Sequence, residues 1–220
     1  MDEKEALKCR HAVRVFKADP LKKEAVEELE KSIAQVNKES GLNIQLKTEE
    51  PEAFQASKPS YGSFKGCKNY LLMVGPKGED EKIGYYGEKL VLKAQCLGIN
   101  SCWVALTYKK GKAEGDIPAG EKKYMVIALG YGETQGVTHK IKTLEQVSDY
   151  KAGDPDWYKE GLEAALLAPT AVNQQKFHFE RDGEKVKAKA GFGFYTKTDL
   201  GIVKYNFEVG SGKDHTIWED

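Results

Sequence analysis

The 220-residue chain has no net charge to speak of, with 34 Lys and Arg balanced by 34 Asp and Glu. That balance removes any global case for nucleic acid or an anionic membrane surface as a partner. No apolar run approaches the roughly 20 residues that cross a bilayer, and the charged N-terminal stretch is unlike a signal peptide. The expectation is a cytoplasmic protein. Cysteine is scarce: Cys9, Cys67, Cys96 and Cys102 form no Cys-x-x-Cys pair. They read as small buried residues in a reducing compartment rather than a disulfide framework. Histidine is scarcer in pattern than in number, because His11, His139, His178 and His215 are scattered. No His-Glu-x-x-His, Gly-x-Ser-x-Gly or Gly-x-x-x-x-Gly-Lys-[Ser/Thr] is present, so a metal site, a serine triad and a P-loop all lack support. Gly191-Phe192-Gly193-Phe194 lacks the strand–turn–helix context of a dinucleotide loop and reads as a hairpin strand. Aromatics, at 10%, are too dispersed to make a base-stacking platform.

What remains is an ordinary globular composition, 40% hydrophobic and 31% charged, enough for one large domain or two small ones. Residues 2–9 read as a short helix. A second helix starts at Asp19-Pro20, with Pro in its first turn and Leu21, Ala25, Leu29, Ile33 and Val36 as its apolar stripe; Gly41 ends it. Residues 42–48 alternate as a strand, and 49–66 carry the turn residues of a long surface loop. Residues 69–74 form a continuous apolar run suited to a buried central strand. Residues 84–97 are the most apolar helical stretch, capped by Gly98, and 101–106 and 122–130 read as two further strands. Residues 149–156 are the best linker candidate. Beyond them lie a helix over 157–167, a strand from 176, a hairpin at Asp182-Gly183 and a last helix over 198–209. A faint internal echo runs through this order: helix 20–37 with strand 42–48 parallels helix 157–167 with strand 176–180, and 199–212 echoes 84–98.

Three stretches carry chemistry. Arg10 and Arg14 sit four apart at a helix end, where two guanidiniums can converge on one anion. The alternative is solvation, or pairing with Glu3 or Asp19. Lys140 and Lys142 alternate across an extended segment, so both ammoniums can face one side, or simply be solvated. Ala168-Pro169-Thr170-Ala171-Val172-Asn173-Gln174-Gln175 follows a helical run and turns tightly, offering N–H groups, a hydroxyl and amides to a flat polar ligand without adding charge.

This last stretch resembles the Ala-Pro-Ser-x-x-Asn-x-Gln loop of the nitroreductase family of FMN enzymes. Arg10 to Phe16 resembles the family's Arg-x-Ser-x-Arg-x-[Phe/Tyr], with Ala12 in the serine's place and His11 beside it. Residues 98–106 resemble its Gly-Leu-Gly-Thr-Cys-Trp-x-Gly segment, with Ala105-Leu106 where Gly-Gly is usual. The Lys140 and Lys142 pair, between Gly130-Tyr131-Gly132 and Leu144-Glu145-Gln146-Val147, resembles its late basic segment.

The resemblance implies an α+β fold, a central mostly antiparallel sheet flanked by helices, with two pseudo-repeated lobes. It implies that Arg10, His11, Arg14, Lys140 and Lys142 meet an FMN phosphate. It further implies that Val104, Ala105, Leu106, Pro169, Thr170, Ala171, Asn173 and Gln175 lie by the isoalloxazine. No side chain is implied as catalytic. NADH or NADPH would be the reductant and an electron-poor small molecule, a nitroaromatic or quinone, the acceptor. A flavin-binding or flavin-sensing module without turnover is the alternative. The family's loop follows its second helix; here the matching residues come about 130 positions later, after the second helix–strand unit. Residues 1–150 are therefore expected to form the main module and 157–220 an abridged second one. The chain would then be a monomer with an intrachain site, or else a homodimer.

Overall fold

A strand that is apolar on both faces must be buried on both, and β2 (Asn69–Pro76) is, with Tyr70 through Val74 fully buried. The computed structural model describes residues 1–55 and 62–219. It divides into two compact units, one of Cys9–Glu79 and Leu90–Val137 with Met1, the other of Asp2–Lys8, Asp80–Lys89 and Thr138–Asp220.

In the first unit β1 (Gln45–Lys47), β2, β3 (Asn100–Val104) and β4 (Glu121–Gly130) form an antiparallel sheet of order β1-β2-β4-β3. The expected antiparallel sheet is thus present, with β2 central. Register explains the core. Leu72 faces Val126 and Tyr70 faces Ala128, while Cys102 and Val104 pair with Ala128 and Val126 from the other side. These even-numbered residues share one face, and Val13, Phe16, Ala53 and Phe54 pack on it. Helix α2 (Lys23–Ser40) buries Ala25, Leu29, Ile33 and Val36, the stripe read from the sequence, and ends at Gly41 in the left-handed conformation. It begins at Lys23, not at Pro20, because Lys22 is extended (ψ 138°) and its N–H goes to the Tyr131 hydroxyl instead. The expected loop over 49–66 holds a 3-10 turn at Pro51–Phe54 whose Ala53 and Phe54 are buried; its residues 56–61 lie outside those described.

In the second unit α5 (Asp156–Leu166), following α4 (Leu144–Val147), packs on α6 (Thr196–Ser211), and β5 (Phe177–Asp182) pairs with β6 (Lys185–Ala190) in the hairpin that Asp182-Gly183 announced. Tyr158, Phe179, Phe207 and Trp218 form an aromatic core with ring centroids 5.1 to 6.1 Å apart. Residues 149–156 are no free linker. Asp149 N–H donates to the Phe179 carbonyl, and Asp154 pairs with Arg181 at 2.8 Å. Gly191-Phe192-Gly193-Phe194 is not a strand either: β6 ends at Ala190, and the segment turns into α6 through Tyr195 at φ 58°.

Helix α3 (Asp80–Cys96) starts a turn earlier than its apolar pattern suggested. Its first part crosses α6 with no side chain between them. A Cβ on Gly84 would lie 2.9 Å from the Thr198 carbonyl carbon, and one on Gly201 would lie 2.9 Å from that of Glu81, closer still to the oxygens. The contact is reciprocal. Each glycine meets the residue three before and the residue one after the other glycine, Thr198 and Ile202 on one side, Glu81 and Tyr85 on the other.

The four cysteines are all free, but they are not all buried: α1 (Glu3–Cys9) ends on an exposed Cys9, and Cys96 is half-buried. Burial pushes the Cys67 thiol up to about 12. A thiol reagent applied to the folded protein should therefore modify Cys9 first and leave Cys67 and Cys102 untouched until denaturant is added. Mass spectrometry of partly labelled protein checks this, and early label on Cys67 would contradict it.

Candidate functional site

The arginine segment of the first unit is positioned by its own apolar neighbours. Val13 and Phe16 plug into the core, each 3% exposed. Val13 N–H donates to Ser101 (3.0 Å), Phe16 N–H to Lys65 (2.8 Å) and Lys17 N–H to Tyr131 (2.8 Å). The segment is therefore extended and stitched between β3, residue 65 and the end of β4. It is not helical, since α1 stops at Cys9. Burial raises the Cys102 thiol of β3, and the positive charges of Arg14, then Arg10, pull it the other way. Arg10 is itself buried, and the Arg14 guanidinium lies 5.9 Å from the centre of the Phe64 ring. His11 is half-buried with its Cβ against Gly136, and Ala12, which stands where the family motif has a serine, is exposed. At the end of β3 the side chains diverge: Val104, its last residue, is in the core, Ala105 is half-buried and Leu106 is exposed.

In the second unit Lys140, Lys142 and the 168–175 turn are brought together. Asn173 Nδ2 donates to the Lys140 carbonyl (2.8 Å), and so does Gln175 Nε2 (2.8 Å). Lys142 N–H donates to Gln175 Oε1 (2.9 Å), and its ammonium to the Gln175 carbonyl (2.7 Å). Gln175 N–H donates to the Thr170 hydroxyl (3.1 Å), and Gln175 Nε2 also reaches Asn173 Oδ1 (2.8 Å). Residues 139–142 are not a strand; they lie along the turn as its other wall. Pro169 is half-buried, as is Ala171, which opens a 3-10 turn over Ala171–Asn173.

That turn is strained. Val172, Asn173 and Gln175 have φ of 47°, 55° and 45°, a left-handed region that is costly for a β-branched residue. Such residues cost on the order of 1–3 kcal/mol each and persist only where the surroundings over-determine them. The hydrogen bonds above do so. The outcome is a hydrogen-bonded edge of amides and main-chain groups that includes the Lys142 ammonium, with Val172 half in solvent at 53% exposure.

Two further residues belong to this site: Gln174, inside the turn motif but not among its expected contact residues, and Asp199, which lies outside it. Gln174 Nε2 donates to the Phe194 carbonyl (2.9 Å) and to Asp199 Oδ2 (2.7 Å), while Asp199 Oδ1 accepts from Ala171 N–H (2.9 Å). Burial pushes the Asp199 carboxyl up to about 6, against the pull of these two donors. Raised from 3.8, it adds stability below about pH 4 that is lost as pH rises through about 6, so at neutral pH its charge is carried at a cost.

The family model described as Putative TM nitroreductase matches residues 2–211. Among solved structures, a putative nitroreductase from Thermotoga maritima is 20% identical with a TM-score of 0.65, covering 96% of this chain and 83% of that one. A putative nitroreductase in complex with FMN from Desulfovibrio desulfuricans is 16% identical with a TM-score of 0.54, covering 70% and 99%. A putative NADH oxidase from Clostridium acetobutylicum is 14% identical with a TM-score of 0.50, covering 66% and 99%. No curated protein matches.

Proposed function

Since the chain belongs to the Putative TM nitroreductase family, we propose that it is an FMN-dependent oxidoreductase that moves electrons from NADH or NADPH to an electron-poor small molecule such as a nitroaromatic or quinone. The observation that carries this reading is the over-determined turn at 170–175, an edge of amides and main-chain groups of the kind a flat polar ring needs. Each unit by itself holds donors of a kind FMN takes: the Arg10 and Arg14 guanidiniums, both of which act on the Cys102 thiol, suit a phosphate, and Thr170, Ala171, Asn173 and Gln175 suit a flat ring. FMN, when bound, supplies the acceptance of a hydride and its onward delivery. The residues of this chain bind and orient: arginines neutralise the phosphate, and the turn offers directional contacts that do not change charge during turnover. Val104 and Ala105 contribute main chain more than side chain, given that Val104 is in the core. Lys142 acts through the turn, its ammonium holding the Gln175 carbonyl. No side chain need serve as acid or base.

Among the described residues no helix is long and apolar enough to cross a membrane, and no group of His, Cys, Asp and Glu could hold a metal. A cytoplasmic location belongs to the same proposal. So does an intrachain second module at 157–220.

The test is reconstitution with FMN, desalting, and anaerobic oxidation of NADH and of NADPH with menadione or a nitrofuran, with mass measured by light scattering. Bound yellow flavin and acceptor-dependent turnover are expected from a monomer. Bound flavin without turnover with either reductant would leave a flavin-binding module. A colourless protein would overturn the reading.

A further inference from the structure

The Asp199 carboxylate is 3% exposed at the start of α6, and both its oxygens are turned toward the 168–175 turn rather than along its own helix. A buried carboxylate is normally retained only where it is hydrogen-bonded. Here both partners belong to one functional element. Oδ1 takes the Ala171 N–H, the first main-chain donor of the strained turn, and Oδ2 takes the Gln174 amide, which sits between left-handed Asn173 and Gln175. The Gln174 Nε2 also holds the Phe194 carbonyl, so one carboxylate ties together the turn and the 191–195 segment. Charge-assisted bonds of this kind are shorter and roughly twice as strong as neutral ones. The position at the helix N-terminus favours the ionised form as well.

We propose that Asp199 is the positioning residue of the ring-facing turn, holding Ala171 and Gln174 so that Asn173 and Gln175 keep the left-handed shape in which they meet the flavin. This rests on the FMN reading above and goes beyond it, because Asp199 lies outside the matched loop motif and does not itself touch the ligand.

Substitution separates positioning from general support. In Asp199→Asn the Oδ1 contact to Ala171 survives, but the side-chain amide now presents N–H groups to the Gln174 donor. Gln174 can answer by turning over, since its Oε1 is buried and has no hydrogen-bond partner among the described residues, and the Phe194 contact is then lost. Because the ionised carboxylate is carried at a cost at neutral pH, Asp199→Asn should leave thermal stability at pH 7 equal or higher. Asp199→Ala removes both contacts.

The experiment measures three quantities on wild type and both variants: amide hydrogen exchange of residues 171–175 in flavin-free protein, FMN affinity, and the melting temperature. We expect faster exchange at 171–175 in the order Ala over Asn over wild type. FMN affinity should weaken in the same order, by on the order of tenfold for Ala, while the Asn variant melts no lower than wild type. Unchanged exchange in both variants would overturn the proposal, and so would faster exchange with unchanged FMN affinity. Affinity that falls only in step with melting temperature would reduce Asp199 to general support. If wild type binds no FMN the functional reading falls first; if wild type binds FMN and the variants match it, only the proposal falls.

Discussion

Gly84→Ala and Gly201→Ala each lower the stability of the protein by about 3 kcal/mol, the upper part of the range for overpacking. The sign is the point. Alanine in place of a helix-interior glycine ordinarily stabilises by about 0.5–1 kcal/mol. Here the added carbon meets main chain on the other helix, the carbonyl of Thr198 or of Glu81, and neither can rotate away. The two helices must part, and each contact along the crossing loosens with them, including the Tyr85 hydroxyl bond to Glu208 and the Lys204 bond to Glu81. For a chain of this size the loss is roughly a 6–12 °C fall in melting temperature. The two substitutions should also be strongly non-additive, because the helices need separate only once. Thermal melts of both single variants and the double variant check this, and a stabilised Gly84→Ala would show the crossing to be looser than described.

On the proposed function, Arg10→Ala should weaken FMN binding by about 1.5–3 kcal/mol, the range for hydrogen bonds to charged groups, or roughly 10- to 150-fold in Kd. Arg10 is 3% exposed and Val13, three residues on, is locked into the core, so the guanidinium is already ordered before a phosphate arrives. Little side-chain freedom is lost on binding, which is why the effect should lie high in the range. Titration of the variant with FMN, followed by quenching of flavin fluorescence, reads it. Arg14→Ala should be milder, because Arg14 is only half-buried. Unchanged affinity in Arg10→Ala, with the melt unchanged too, would place Arg10 outside the binding site.

Local chemistry was readable where a residue's neighbours in sequence determine its state. The α2 stripe, Gly41 at its end and the Asp182-Gly183 turn are such cases, since periodicity and left-handed preference are properties of short stretches. The unusual shape of 168–175 could be suspected from Pro169, the amides and the preceding helix. Its stitching could not, because Lys142 and Gln175 are 33 residues apart and Gln174 and Asp199 are 25 apart. Asp199 was hidden for a further reason. An acid in the first turn of a helix is what any helix prefers, so the residue looked ordinary. The start of α2 misled in the same way: Pro20 is a good first-turn residue, but a tyrosine hydroxyl from residue 131 took the N–H that the helix would have left open.

The reciprocal crossing of α3 and α6 has a consequence for how this protein can change. Where two identical subunits meet across an axis, every substitution near that axis occurs twice, and its penalty is felt twice. In this chain Gly84 and Gly201 play matching parts, yet they are separate codons of one gene. Each flank of the crossing can therefore drift while its counterpart stays fixed, at the cost of a single change. Tyr85 and Ile202, the matched residues that follow the two glycines, differ in this way: one is a half-buried phenol bonded to Glu208, the other a buried aliphatic.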